Sequence, residues 1–256
     1  STASSITFDD GFEYSAVTPQ PNPLLTVNIP TGLKFTQDPG SIDFQGKGQT
    51  LIGILDSPLL GAGLSKNGLR LNPGKTLGFV GGDINLIGEI LTASNIEVGS
   101  VGKGSEVRIN SKEDGFILDY SKVNNFKDIN LSQRSLLDSS GTGSNSIRVQ
   151  GKKVTFTDGS LALIQNQGAT NSDKINITAT ESLYISGSDP KSLIIGSLLT
   201  ETTNSGSSAD IYINTPDLIF TSGGSSQTRT FSSGKAGDIF VNAPNSISLL
   251  GSSPLT

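Results

Sequence analysis

The residues with the most chemical reach in this 256-residue chain are its carboxylates: 23 Asp and Glu against 18 Lys and Arg, for a net charge of −5. Paired carboxylates are the apparatus of glycoside hydrolysis, one as acid and the other as base or nucleophile. Asp9 with Asp10, Glu113 with Asp114, and Asp158 are the candidates. Adjacent side chains on a strand point to opposite faces, and adjacent carboxylates in turns are solvated. Spacing alone therefore assigns none of them a catalytic role. Asp83, Asp128, Asp210 and Asp238 each precede an apolar burst and invite a Ca²⁺ reading. Calcium-binding repeats need dense Gly-Gly-x-Gly-x-Asp nonapeptides. Gly81-Gly82-Asp83 and Gly237-Asp238 are isolated, so the expectation is turn chemistry, with Asp accepting nearby backbone N–H groups and no metal or cofactor bound.

The absences exclude whole classes. The chain has no His and no Cys. That removes the Ser-His-Asp triad, thiolate nucleophiles, disulfides and thiolate metal sites. Gly141-Thr142-Gly143 and Ser205-Gly206-Ser207-Ser208 lack the Lys and helix of a phosphate loop and read as tight turns. An acidic balance without a basic patch argues against nucleic acid as a partner. No run of 18 apolar residues exists to suggest a membrane-spanning helix. The absence of Met, even at position 1, leads to the expectation that the chain is a piece of a longer product.

The elements that must position these side chains are short strands. Apolar–polar–apolar triplets recur, the mark of a strand with one buried face. They are Ile84-Asn85-Leu86, Ile96-Glu97-Val98, Val107-Arg108-Ile109, Ile129-Asn130-Leu131, Ile147-Arg148-Val149 and Val154-Thr155-Phe156. Further along come Ile175-Asn176-Ile177, Leu183-Tyr184-Ile185, Ile211-Tyr212-Ile213, Leu218-Ile219-Phe220, Ile239-Phe240-Val241 and Ile247-Ser248-Leu249. From Ile147 onward they repeat as pairs. First members start at 147, 175, 211 and 239, offsets of 28, 36 and 28; second members start at 154, 183, 218 and 247, offsets of 29, 35 and 29. Such a period, with only two or three short strands per unit, predicts the rungs of a parallel β-helix rather than propeller blades. Inward positions then form aliphatic ladders. The stretches 189–191 and 200–208 are expected as surface excursions, and 200–208 with 222–230 as an exposed polar loop system where binding specificity could sit.

Parallel β-helices also carry pectin-cleaving enzymes, which cluster Asp with Arg or Lys. Arginines are few: Arg70, Arg108, Arg134, Arg148 and Arg229. Arg108 and Arg148 are outward-facing strand residues and could share a face with Asp119 and Asp128. Phe8, Phe12, Tyr14, Phe35 and Phe44 could stack on sugars, but as an aromatic group near one end they read as covering that end or side. Residues 1–75 are less regular, with extended and hairpin segments. Prolines rule out an interior helix over 17–30, which reads as an extended edge. Asn72-Pro73-Gly74-Lys75 turns the chain into a strand at 76–80, and residues 76–256 are expected to be regular rungs of one continuous solenoid.

Three stretches carry a family resemblance: Leu24-Leu25-Thr26-Val27-Asn28-Ile29-Pro30-Thr31-Gly32-Leu33; Thr76-Leu77-Gly78-Phe79-Val80-Gly81-Gly82-Asp83-Ile84-Asn85-Leu86 with Gly88 and Leu91-Thr92-Ala93; and Ile96-Glu97-Val98-Gly99-Ser100-Val101. They resemble the second half of the N-terminal secretion region of filamentous-haemagglutinin-like two-partner secretion exoproteins, especially the cyanobacterial set. The opening Ser1-Thr2-Ala3-Ser4-Ser5-Ile6-Thr7-Phe8-Asp9-Asp10-Gly11 is similar too. The resemblance implies an all-β, right-handed parallel β-helix with extra-helical strands near the N-terminus. It implies secretion to the extracellular space or outer-membrane surface through an outer-membrane β-barrel transporter. The family's Asn-Pro secretion motif is expected upstream of Ser1. The expected role is a non-enzymatic adhesin or extracellular filament segment displaying loops to a glycan or cell-surface receptor. The competing readings are a polyuronate-cleaving enzyme and a structural sheath or fibre subunit that self-associates end to end.

Overall fold

The computed structural model describes residues 1–18, 28–53, 56–113, 115–187 and 196–251, which hold strands and turns and no helix. The first strands in chain order are β1 (Ser5–Phe8), β2 (Glu13–Ser15), β3 (Pro30–Phe35), β4 (Ile42–Gln45), β5 (Leu69–Arg70), β6 (Thr76–Gly81) and β7 (Ile84–Ile87). Then follow β8 (Ile90–Thr92), β9 (Asn95–Ser100), β10 (Ser105–Lys112), β11 (Gly115–Asp119), β12 (Ile129–Ser132), β13 (Leu136–Asp138) and β14 (Ser146–Phe156). The remainder are β15 (Leu161–Asn166), β16 (Lys174–Ser186), β17 (Ser197–Thr202), β18 (Asp210–Asn214), β19 (Asp217–Thr221), β20 (Ser225–Thr230), β21 (Ile239–Asn242) and β22 (Ser246–Leu250).

Two sheets are parallel. The eleven-stranded one runs β21-β18-β16-β14-β12-β7-β4, with β6–β9 joined to β14 and β19–β22 joined to β16. Its registers are the offsets visible in the sequence. Ile147 pairs with Ile175, Ile175 with Ile211 and Ile211 with Ile239. Val154 pairs with Leu183, Leu183 with Leu218 and Leu218 with Ile247. The mismatch between 28 and 29 is a bulge between Gly151 and Lys153, one extra residue on one strand. The same alignment runs back through Ile129 and Ile84 to Ile42, so seven aliphatic residues stand in one column. A slip of one residue would turn the buried members, Ile84, Ile129, Val154, Leu183 and Leu218, to water. Burying one such side chain contributes about 1.5–3 kcal/mol, so the column fixes the register.

The six-stranded sheet, β20-β17-β15-β13-β8-β5, is also parallel and closes the opposite side of the core. Leu91, Leu137, Ala162, Ile164 and Leu198 point from it into the cluster that holds Ile84, Ile129, Ile147 and Ile175. Its other face carries Ile90, Leu136, Leu161, Leu163 and Leu199 and is covered by Leu59 and Ala62. Residues 200–208 are only in part a surface excursion: 203–206 bend outward with Asn204 and Ser205 exposed, but 200–202 do not. Thr200, Glu201 and Thr202 belong to β17 and are fully buried, and Thr200 and Thr202 donate to the carbonyls of Ala209 and Gly206, both at 2.6 Å. Likewise 225–230 is strand β20 rather than loop. The stretch 189–191 lies outside the described residues, as do 19–27 of the expected extended edge.

The third sheet is antiparallel, in the order β11-β10-β3-β1-β2. The triplet Val107-Arg108-Ile109 thus leaves the parallel stack. It sits in a hairpin, β10 with β11, that packs onto β3 near the N-terminus. Leu33, Phe35, Val80, Val101, Val107 and Leu118 form the core beneath it. The N-terminal aromatics do not form one group: Phe8 and Phe12 meet at 6.0 Å, Phe35 is buried in that core, Phe44 meets Phe79 edge-on at 5.0 Å, and Tyr14 is half-exposed.

Candidate functional site

The middle residues of one set of triplets stack on the outer face of the long sheet. Register aligns Gly78, Glu97, Arg148, Asn176, Tyr212 and Phe240 in one column. The β10–β11 hairpin lies over its beginning. Two glycines make room for it: a Cβ at Gly78 would stand 2.8 Å from the Phe116 ring, and one at Gly99 would stand 1.9 Å from the Tyr120 hydroxyl. Glycine inside a strand marks close approach of another segment.

Covered by that hairpin, the Glu97 side chain is only 3% exposed. Arg148 donates through Nη1 to Glu97 Oε1 at 3.3 Å and to the Leu118 carbonyl at 3.1 Å. Glu97 Oε2 and the Tyr120 hydroxyl are buried with no hydrogen-bond partner. Burial pushes the Glu97 carboxyl up to about 7, against the pull of Arg148 and, more weakly, Lys112. Beside it, desolvation first and the Glu97 charge second raise the Tyr120 phenol. Between hairpin and sheet opens a groove of about 610 Å³ whose lining includes Asn95, Glu97, Lys112, Phe116, Arg148 and Asn176. A second hollow, also bordered by Asn176, continues along the column to Tyr212 and Phe240. Those rings stack at 4.7 Å and 14°, and Lys174 Nζ lies 5.8 Å from the Tyr212 centroid. The arrangement is an elongated trough with acceptors and cations at one end and aromatic carbon at the other.

The expected cluster is partly real. Arg108 faces Asp119 across the hairpin, and Arg148 lies close enough to act on the same carboxylate. Asp119 is held below its ordinary range by hydrogen bonds from Ser121 first, then by these arginines. Asp128 is elsewhere, in the corner column of the recurrent aspartates. There Asp83 accepts the Asp128 N–H at 3.0 Å, Asp128 that of Lys153 at 3.2 Å, and Asp210 that of Asp238 at 2.8 Å. These bonds are the expected turn chemistry, and among the described residues no group of three or more metal-ligating side chains exists. Asp10 accepts the Phe12 N–H at 3.0 Å, and Asp158 that of Gln133 at 3.3 Å. Glu113 borders the groove, and Asp114 lies outside the described residues. Arg70, Arg134 and Arg229 bond to Ser65, Lys47 and Glu201 at three separate places. Glu97, the most perturbed carboxylate of the groove, stood in the sequence as an ordinary outward strand residue. The signal for its burial was the pair of strand glycines, 78 and 99.

Residues 1–149 match the family model of the TPS secretion domain. The chain belongs to this family, the two-partner secretion exoproteins of the haemagglutinin type. Membership makes it a secreted exoprotein with an outer-membrane transporter as its partner. No curated protein and no solved structure matches the chain.

Proposed function

We propose that this chain is a segment of a non-enzymatic adhesin or extracellular filament, held at the cell surface or released. Its parallel strands stack as a right-handed β-helical rod, with the antiparallel hairpins as extra-helical decoration. The observation that carries the reading is the family match, extended by in-register ladders that continue without interruption well past residue 149. On the rod, the trough from Glu97 to Phe240 is the surface best suited to a glycan. Its column takes four strand-to-strand steps, roughly 19 Å at about 4.8 Å each. Asn176 and Arg148 offer donors, and Phe240 an aromatic surface for sugar C–H groups. Lys112, Arg148 and Lys174 stand against Glu97, Glu113 and Asp173, a balance that favours a polyhydroxylated neutral chain over a polyanion. Weak contacts of this kind add when many copies act together.

The test is binding of the chain to immobilised neutral and acidic oligosaccharides, with Asn176→Ala and Tyr212→Ala beside it. Binding of neutral glycans, weakened tenfold or more by either substitution, is expected. Binding by neither class refutes the glycan reading, and cleavage of polygalacturonate would establish the enzyme reading in its place. A structural sheath or fibre subunit that self-associates end to end is the other reading. Sedimentation that shows end-to-end oligomers would support it.

A further inference from the structure

Residues 49–53 and 56–63 cross the outer face of the six-stranded sheet, and most of what holds them lies far along the chain. Gln49 is buried, donates its backbone N–H to the Arg134 carbonyl at 2.8 Å, and donates through Nε2 to the Gly159 carbonyl at 3.4 Å. Ile52 and Leu60 bond to each other in both directions, at 3.1 and 3.0 Å, so the segment closes on itself. The Leu59 N–H donates to Glu201 Oε1 at 2.8 Å, and the Leu59 carbonyl accepts from Gln165 Nε2 at 2.8 Å. The Gln165 amide also donates to Glu201 Oε1, at 2.7 Å, and Arg229 Nη2 to Glu201 Oε2, at 2.8 Å. Gly63 N–H reaches Asp138 Oδ2 at 2.7 Å, and Gln167 Nε2 reaches the Ala62 carbonyl at 3.1 Å. Between these polar ties, Leu59 and Ala62 cover Leu136, Leu161, Leu163 and Leu199.

Arg134 and Asp138 are the only anchors named here that lie inside the family-matched 1–149. Gly159, Gln165, Gln167 and Glu201 lie beyond it, at separations of 110, 106, 105 and 142 residues. Glu201 is fully buried. A buried carboxylate without donors is strongly unfavourable, and a buried N–H without an acceptor is nearly as costly. Strap and carboxylate therefore complete each other: Leu59 has no acceptor until Glu201 is in place, and Glu201 is wet until the strap covers it.

We infer that residues 49–53 and 56–63 are a late-closing latch on the secretion domain, with Glu201 as its catch. The folded unit extends past residue 149 to include β15 and β17. Until Ser197–Thr202 joins the sheet, the strap with Leu51, Leu59 and Ala62 is open to water or to another protein. The export partner would meet that open form, a clause that rests on the family reading; the latch itself rests on the geometry alone.

The experiment is pulsed hydrogen exchange during refolding of the full chain, followed by native-state exchange. In refolding, the Leu59 amide gains protection no earlier than those of Ser197–Thr202. In the native state, Glu201→Ala speeds exchange at Leu59 by about ten- to a hundredfold, the range expected for losing a bond to a charged acceptor. The amides of Ile96 and Ile147 stay unchanged, and Glu201→Gln, which keeps an oxygen at the same place, restores most of the protection. Protection of Leu59 ahead of β17 overturns the inference, and so does unchanged Leu59 exchange in Glu201→Ala. The refolding measurement needs no variant and decides the matter even where Glu201→Ala fails to fold. Either outcome leaves the glycan assay untouched, so the two readings fail separately.

Discussion

Glu97→Gln should make the chain more stable at neutral and alkaline pH. The native carboxyl is pushed from 4.5 to about 7 because the hairpin removes it from water and Arg148 satisfies one oxygen only. A carboxyl raised on folding stabilises the fold in its protonated form. Its contribution is fully present below the unfolded value near 4.5 and is lost as pH rises through about 7. At about 1.36 kcal/mol per pH unit, the gap from 4.5 to about 7 amounts to about 3 kcal/mol. Glutamine has the shape of the protonated acid, still offers Arg148 an oxygen, and does not titrate. Urea unfolding at pH 4.5, 6 and 8 should therefore show wild type and variant nearly equal at pH 4.5, with the variant ahead by up to about 3 kcal/mol at pH 8. The chain contains no His, so few other groups titrate in this window. Any that do cancel in the difference. A wild-type-minus-variant difference that stays constant from pH 5 to 8 would refute the reasoning. A variant that is less stable at pH 8 would mean that the Arg148 pair outweighs burial.

Other substitutions separate covered from open positions. Gly99→Ala places a methyl where the Tyr120 hydroxyl lies and should lower stability by about 1–3 kcal/mol, with faster proteolysis in the β10–β11 hairpin. Phe156→Ala empties a site with no exposure, between Leu131 and Ile185 in register, and should cost about 3–5 kcal/mol in urea unfolding. Phe240→Ala, at the open end of its column, should barely move the same midpoint while weakening glycan binding. Glu181→Gln removes the partner of Lys152 and Lys153, yet these groups are solvated, so the thermal midpoint should not change measurably.

The parts of this fold that could be read in the sequence are those with one wet face and one dry face. Ile147-Arg148-Val149 alternates because Ile147 and Val149 face the core while Arg148 faces out, and the equality of offsets between triplets is the register itself. The six-stranded sheet escaped because β15 and β17 are buried on both faces, which erases the alternation. Thr200-Glu201-Thr202 has the composition of a loop, but its hydroxyls and carboxylate are satisfied internally. No local pattern reveals that a strap from residue 59 supplies one of those partners. The groove was little legible: of the expected cluster Arg108, Arg148, Asp119 and Asp128, only Arg148 lines it, and Glu97 gained its character from a hairpin that joins it only in three dimensions.

The bulge at Gly151 bears on how such a chain can change over generations. The two triplets of a unit lie seven residues apart at 147 and 154, eight at 175 and 183, seven at 211 and 218, and eight at 239 and 247. Paired columns on either side of the corner hold their alignment through every change. The corner is thus a place where a codon can be gained or lost without shifting the strands that follow. Where the extra residue sits, Lys152 and Lys153 both reach Glu181, at 3.3 and 3.0 Å. An insertion there becomes a new surface feature and not a frameshift of the core. Repeats built this way can drift apart in length and surface chemistry while their ladders stay in step.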